Sequence, residues 1–323
     1  MPLSVVLPVL NGAATLPACL DAIYAGLPPH TEVIVVDDGS TDTTAAVCAR
    51  YPLRRVAHAT NRGTSAARNT GWRAAAGDLV AFVDADVVLA PGALGQLVDA
   101  LEGEPHTLGV NGIFALAPYP TFVSDFANLS IHYQHRAHGA RVASAFTGLC
   151  VLRREALVQM DGWDERFYSR YADDVNTRFL LPAGSIRLVL AAEGRHLKDV
   201  DLPGLLKHRF NIGWFYVRSL RHHRSAGNAT PTNAVLAMRY PLNTAIAALA
   251  LASAVIPPLA PLPALGFVAV NLPFAAFVAR RRGPLAGAAA IGLSAAEGFA
   301  YLFGMAASAA RLARAPSAAP EPA

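Results

Sequence analysis

Cysteine is scarce: Cys19, Cys48 and Cys150 are the only three in 323 residues, and they lie far apart with no paired spacing. That excludes a zinc ribbon and a disulfide framework, and it predicts three small buried hydrophobes in a reducing compartment. In such a compartment the sequons at Asn128 and Asn228 carry no meaning. Two phosphate-binding signatures are also missing. No Gly-x-Gly-x-x-Gly follows the first apolar run and no Walker loop occurs, which disfavours ordinary dinucleotide and P-loop sites. Met1–Leu10 has neither a basic n-region nor a small-residue cleavage site, and reads as a strand rather than a signal peptide. The formal net charge is +4, yet the basic residues form no stripe interleaved with aromatics, so no nucleic-acid partner is expected. Charge nearly vanishes after Pro241, where Arg280, Arg281, Arg282, Glu297 and a few tail residues interrupt apolar sequence.

What is present is an alternation of short apolar runs and helical patterns. Leu3–Val9, Glu32–Val36, Leu53–Ala57 and Leu79–Val83 are each stopped by Asn, Asp or Gly and read as buried strands. Thr15–Ala25, Asp42–Arg50 and Thr64–Ala75 carry helical periodicity behind Ser, Thr or Asp caps. The expected fold is α/β, Rossmann-like, with a mostly parallel sheet flanked by helices. Phe122–Arg136 reads as a helix, Ala145–Val189 as a second strand-helix region, and Leu202–Ser225 as an amphipathic helix that lies on the membrane surface or packs on the catalytic domain. Three apolar segments follow, Leu242–Pro257, Leu259–Ala279 and Leu285–Ala310, the first slightly short for a hydrocarbon core of about 30 Å. The expected division is a catalytic domain over residues 1–225, a juxtamembrane linker over 226–240, membrane-anchor helices over 241–310 and a disordered tail over 311–323. Arginines beside the apolar segments mark the cytoplasmic side, which predicts a multi-pass protein of the cell membrane with its catalytic domain in the cytoplasm.

Every early strand delivers polar residues at its carboxyl end, where ligands bind in open α/β sheets. The first ends in Pro8-Val9-Leu10-Asn11, the second in Asp37-Asp38-Gly39-Ser40 and the fourth in Asp84-Ala85-Asp86. Two carboxylates spaced by one residue can share a hard divalent cation that also takes phosphate oxygens, as a nucleoside diphosphate requires. His132, His135 and His138 share a helix spacing that zinc could use, but no acidic fourth ligand accompanies them, and a polar helix face is the expected reading.

These motifs, in this order, resemble the family-two inverting glycosyltransferases of fold type A. The likeness runs from Ser4-Val5-Val6-Leu7-Pro8 through Val35-Val36-Asp37-Asp38-Gly39-Ser40-Thr41-Asp42, Asn61-Arg62-Gly63, Ala67-Arg68-Asn69-Thr70-Gly71 and Asp84–Asp86 to Gly162-Trp163-Asp164-Glu165-Arg166-Phe167 and Asp173-Asp174. The resemblance implies that Pro8, Asn11, Asp38, Arg62, Arg68 and Asp84 bind the nucleotide sugar. It implies that Asp86, with Asp84 and His196, holds a divalent metal such as Mg2+ or Mn2+. Trp163, Asp164 and Asp173 would contact the acceptor, and Asp174 would be the general base that an inverting transfer needs at the acceptor hydroxyl. The pair is Asp173-Asp174 where the family has Glu-Asp, and Asn176 stands where another acid is common.

The expected activity is transfer of one sugar from a UDP- or GDP-linked donor to a lipid-linked or membrane-surface acceptor. Processive relatives carry Gln-x-x-Arg-Trp after the catalytic aspartate; here the region reads Lys207-His208-Arg209-Phe210-Asn211-Ile212-Gly213-Trp214. A nucleotidyltransferase of similar fold and an inactive membrane scaffold are the alternatives.

Overall fold

The computed structural model describes residues 1–137, 140–142, 144–165, 180–182, 184–197, 199–225, 239–253 and 261–314. Two compact units divide it. The first holds Met1–Ala115 and His138–Lys198, and the second Leu116–Ala137, Asp199–Gly227 and Ala234–Ala323. The 122–137 and 202–225 helices, which fall within the stretch 1–225 expected to be the catalytic domain, belong to the helical unit.

In the first unit β1 (Leu3–Val9), β2 (Glu32–Asp37), β3 (Arg54–Ala57) and β4 (Leu79–Val83) form the parallel half of a sheet in the order β3-β2-β1-β4. All residues of β1 and β4 are buried, as expected of strands covered on both faces. The connections are α1 (Leu16–Ala25), α2 (Thr44–Cys48) and α3 (Thr64–Ala74). Beyond β4 the sheet becomes mixed. β8 (Leu149–Arg153) pairs antiparallel with β4 and with β6 (Gly109–Phe114), and β9 (Ile186–His196) runs parallel to β6. β5 (Val87–Leu89) and β7 (Arg141–Val142) pair antiparallel with β9. α4 (Ala93–Glu102) and α6 (Arg154–Gln159) complete the unit.

Strand order reverses between β1 and β4, which is where a ligand crevice opens in sheets of this kind. The β1–β4 pairing ends at Val6–Phe82, two residues before Pro8. A proline has no N–H to give a ladder, so its position past the last β4 partner suits the splayed end of the strand.

α3 lies on this part of the sheet through Gly71. A Cβ at Gly71 would stand 2.2 Å from Val6 Cγ1 and 3.2 Å from Val36 Cγ2, so hydrogen is the only side chain that fits. The core beneath includes Val6, Val36, Trp72, Phe82, Cys150 and Trp163. All three cysteines are buried and free, as their spacing predicts.

The second unit is helical: α5 (Phe122–Ala137), α7 (Leu202–Ser225), α8 (Arg239–Ser253), α9 (Pro261–Arg282) and α10 (Pro284–Arg314). Phe126, Leu129, Leu205, Phe274, Val278 and Ala290 form its core. α7 approaches α10 closely, since a Cβ on Gly304 would stand 2.0 Å from the Phe210 carbonyl oxygen. Arg209 donates to the buried Glu297 across these helices at 2.5 Å, and Arg282 donates to both Asp125 oxygens at 2.6 and 3.0 Å. Asn243 and Asn271 exchange amide hydrogen bonds at 3.1 and 2.7 Å, which satisfies two polar side chains that are wholly buried in apolar surroundings. α9 and α10 are long and apolar enough to cross a membrane, whereas the apolar part of α8, Leu242–Ser253, is shorter. Leu262, Leu265, Val268 and Leu272 stand exposed at helical spacing along α9, as a lipid-facing stripe does. His132, expected on a polar face, is buried beside Phe277 and accepts from Arg136 at 3.0 Å; His138 lies outside the described residues.

The close seat of α3 gives a stability test. Gly71→Ala forces Val6 or the helix to move, and overpacking of this kind costs about 1–3 kcal/mol. A lowered melting temperature of the purified chain is the expected result, and an unchanged melt would show that α3 does not depend on this contact.

Candidate functional site

The carboxyl ends of β1 and β2 are side by side because Pro8 pairs with Val36 and Val9 with Asp37. The loops beyond them are stitched together. Asn11, at φ 52°, accepts from Thr41 N at 2.9 Å, and its own N–H donates to Ser40 Oγ at 2.9 Å. Gly12 N donates to Thr44 Oγ1 and Ala13 N to Asp42 Oδ2. The side-chain oxygen of Asn11 is thus engaged in shaping the loop. Gly39 sits at φ +78° with the Asn61 backbone so near that a Cβ would come within 2.7 Å, so the Asp-Gly-Ser turn admits only glycine there.

A cleft of about 340 Å³ opens at this edge, lined by Pro8, Val9, Leu10, Asp38, Asn61, Gly63, Thr64 and Ala67. Asp38 is its buried acid. Its Oδ1 accepts from His58 Nδ1 at 2.6 Å and Arg62 N at 2.9 Å, and its Oδ2 from Gly63 N at 2.8 Å. His58 reaches Thr70 Oγ1 with its other nitrogen at 2.9 Å, so the imidazole bridges β2 and α3. Neighbouring Asp37 is buried too. Burial alone would raise its carboxyl, but Ser40 and Arg55, the latter 2.6 Å away, more than offset this and hold it below the usual carboxylate range.

Asp84–Asp86 forms a tight turn between β4 and β5, with Val87 N donating to the Asp84 carbonyl at 3.0 Å. Its middle residue is fixed from below: the Ala85 carbonyl accepts from Thr15 Oγ1 at 2.8 Å and Cys19 Sγ at 3.1 Å. Burial, and then Asp86, push the Cys19 thiol up to about 12, so it serves as a donor and not as a nucleophile. Asp84 takes the Arg68 guanidinium at 2.8 Å. Burial raises the Asp84 carboxyl, Arg68 opposes this most strongly, and Asp86 adds to the rise. Arg68 is 2% exposed and so belongs to the floor of the site rather than to its surface.

β5 pairs Val87 with His196, which sets the imidazole beside Asp86: Nε2 to Oδ2 is 3.3 Å, and Leu197 N donates to the Asp86 carbonyl at 2.7 Å. Phe114 stacks on the His196 ring at 4.9 Å and fixes its plane. A 3.3 Å separation is near that of two adjacent donors on one octahedral ion, about 3 Å for bonds of 2.0–2.1 Å. A carboxylate oxygen with an imidazole nitrogen suits a borderline ion such as Mn2+. Among the described residues no three Asp, Glu, His or Cys side chains already converge in this way. The expected trio thus meets as a pair, Asp86 with His196, while Asp84 turns to Arg68.

Trp163 corrects an expectation. It is 2% exposed, edge-on to Phe82 at 4.6 Å, and part of the core, so it offers no face to an acceptor. Asn69 holds its backbone, accepting from Trp163 N at 2.9 Å and donating to Trp163 O at 2.8 Å. The same amide donates to Glu165 at 2.9 Å, and Glu165 also takes the exposed Arg62 at 3.1 Å. Asp164 is half-buried next to this latch. Asp173, Asp174 and Asn176 lie outside the described residues. His58, Asn69, Thr15 and Cys19 were not legible as site residues, although Asn69 lies inside the Ala67–Gly71 motif and His58 three residues before Asn61.

The glycosyl transferase family 2 model matches residues 4–159. The Mycobacterium tuberculosis protein Rv0539, named an uncharacterized glycosyltransferase, is 34% identical over 164 residues, which make up 50% of this chain and 72% of that protein. YibD of Escherichia coli, also named as a glycosyltransferase, is 38% identical over 88 residues, 26% of each chain. EpsJ of Bacillus subtilis is 32% identical over 113 residues, 34% of this chain, and the chain thus spans only about a quarter to a third of the length of these last two relatives. Among solved structures, the mannosyltransferase PcManGT of Pyrobaculum calidifontis, in complex with GDP-Man and Mn2+, superposes with a TM-score of 0.57 at 21% identity over 93% of this chain and 87% of its own. Glucosyl-3-phosphoglycerate synthase of Mycobacterium tuberculosis, in complex with UDP, gives 0.51 at 22% identity over 69% of this chain and 80% of its own. Those likenesses establish the fold, and the extent of the Rv0539 match establishes the family: the chain belongs to glycosyl transferase family 2.

Proposed function

We propose that the chain transfers a single sugar, with inversion, from a nucleoside diphosphate donor to a membrane-associated acceptor. The observation that carries this reading is the grouping, at the carboxyl edge of one sheet, of the Asp38 cleft with the Asp86–His196 pair. The first suits a nucleobase and the second a diphosphate-bound cation. PcManGT holds GDP-Man with Mn2+ and the synthase holds UDP, which supports a uridine or guanosine diphosphate donor for this chain.

In this reading the base enters between Pro8 and Ala67 and gives a hydrogen bond to Asp38. Arg68 neutralises Asp84, so the floor of the site does not repel a diphosphate. Asp86 and His196 would hold a divalent ion, which when bound offsets the charge developing on the departing diphosphate. Arg62 is the exposed cation at the cleft and is oriented by Glu165. Asp174 takes the proton of the acceptor hydroxyl as that oxygen attacks the anomeric carbon opposite the leaving group. The Asn69 latch on Trp163 and Glu165 fixes the chain nine residues before this aspartate.

α9 and α10 would anchor the enzyme as membrane spans, with the catalytic unit and Arg280–Arg282 both on the cytoplasmic side of the bilayer. Anchoring raises the effective concentration of a lipid-borne acceptor. It also suits transfer of one sugar, since few helices with a single internal acid, Glu297, can scarcely enclose a polar path for a polymer.

Asp174→Asn keeps the shape of the side chain and removes the base. Donor affinity should change little while turnover falls roughly 10²–10⁴-fold. Unchanged turnover would place the base elsewhere, or point to an acceptor whose phosphate oxygen needs no deprotonation. Asp86→Ala should weaken Mn2+-dependent donor binding as chelation does, and full activity in excess chelator would refute the metal reading. The full chain should pellet with membranes and stay there through high-salt washing; release by salt alone would contradict hydrophobic anchoring.

A further inference from the structure

Asp38 has less capacity left than a free carboxylate. An ionised carboxylate offers about four lone-pair positions, two on each oxygen. Among the described residues, Oδ1 takes His58 Nδ1 at 2.6 Å and Arg62 N at 2.9 Å, and Oδ2 takes Gly63 N at 2.8 Å. Oδ1 is filled. A single position remains, on Oδ2, in an acid that lines the cleft.

Nucleobases differ in how many donors they bring to a carboxylate. The pairing edge of guanine presents a ring N–H beside an exocyclic amine, and it engages a carboxylate through both oxygens. Uracil presents one N–H between two carbonyls, and it needs a single acceptor position flanked by a donor. Asn61 provides that donor: its oxygen accepts from Gly63 N at 2.9 Å, which leaves its amide nitrogen as the donating end of a side chain that lines the same cleft. Acceptor, donor, acceptor is the order on uracil, and Asn61 with Asp38 Oδ2 meets two adjacent positions of it, a carbonyl and the ring N–H.

We infer that His58, by filling Asp38 Oδ1, makes this a uracil-type site and disfavours a guanine donor. The inference rests on the proposed reading that Asp38 takes the N–H of the base. His58 is a positioning residue, since it touches Asp38 and Thr70 and acts on the base through the carboxylate. Its ring is buried between β2 and α3, with side-chain exposure of 6%, so it does not swing aside to free Oδ1 without loss of both hydrogen bonds. A guanine docked here leaves one N–H without a carboxylate partner, since Oδ1 is taken. An unpaired polar group at a binding edge typically costs about tenfold or more in affinity.

Calorimetric titration of the full chain in detergent with UDP, GDP and CDP, each with Mn2+, tests this. The diphosphate and metal are common to all three, so their contributions cancel in the ratios. UDP is expected to bind at least about tenfold tighter than GDP. His58→Asn keeps an N–H at the position of Nδ1 and should preserve the ratio; His58→Ala opens Oδ1 and should narrow it, chiefly by improved GDP binding. GDP binding as tightly as UDP to the unaltered chain would overturn the inference, and so would a ratio unmoved in a folded His58→Ala protein. CDP has no ring N–H in that place. Equal binding of UDP and CDP would remove the role of Asp38 as base acceptor, and the inference with it, whereas UDP well above CDP but level with GDP would leave that role intact and overturn only the inference.

Discussion

The seat of α3 on the sheet is the constraint from which the rest of the site follows. Gly71 lets the helix come so close to Val6 and Val36 that a methyl group would collide. From that distance one helix reaches most of the site, while β5 and β9 set the Asp86–His196 pair. Gly63, at its N-cap, donates to Asp38; Arg68 reaches Asp84; Asn69 holds Trp163 and Glu165; Thr70 meets His58. An outward shift of an ångström would break several of these short contacts together, since hydrogen bonds weaken steeply with distance and angle.

Charge in the site is arranged by the same economy. Each described acid near the cleft has a specific partner, and the partners differ in kind. Asp38 is met by backbone amides and an imidazole, Asp37 by Arg55, Asp84 by Arg68, and Asp86 by His196. Guanidinium ions are effectively permanent charges, so Asp37 and Asp84 are neutralised as parts of the framework. Imidazole is the usual partner of borderline divalent ions, which sets Asp86 apart from the other acids. The Asp-Ala-Asp spacing by itself does not show which of its acids meets which partner.

The parallel half of the sheet was legible because its strands are short apolar runs stopped by turn residues. Leu3–Val9 and Leu79–Val83 carry the bounds expected of them, and Thr64–Ala74 ends one residue early. The antiparallel half was not legible in the same way. β5 is three residues long and takes its partner from more than a hundred positions away, so no local pattern marks it. The packing of α5 and α7 was hidden for a related reason: both lie within the catalytic stretch of sequence, yet their apolar faces pack with Phe274 and Val278 far along the chain. Trp163 shows the limit of motif reading. Its place before Asp164-Glu165 fits a ligand contact, and only tertiary packing on Phe82 reveals a core residue. His58 carries no signal of its own, because its role arises from two partners that the fold brings together.

In the proposed reading the carboxyl edge of β1, β2 and β4 holds a nucleoside diphosphate and its cation. Crystals grown with UDP and Mn2+, with data collected at the manganese absorption edge, test it most directly. An anomalous peak is expected at Asp86 and His196, with the uracil ring in the cleft between Pro8 and Ala67 and its N–H on Asp38. A manganese ion bound away from Asp86, or a nucleotide seated outside that cleft, would contradict it.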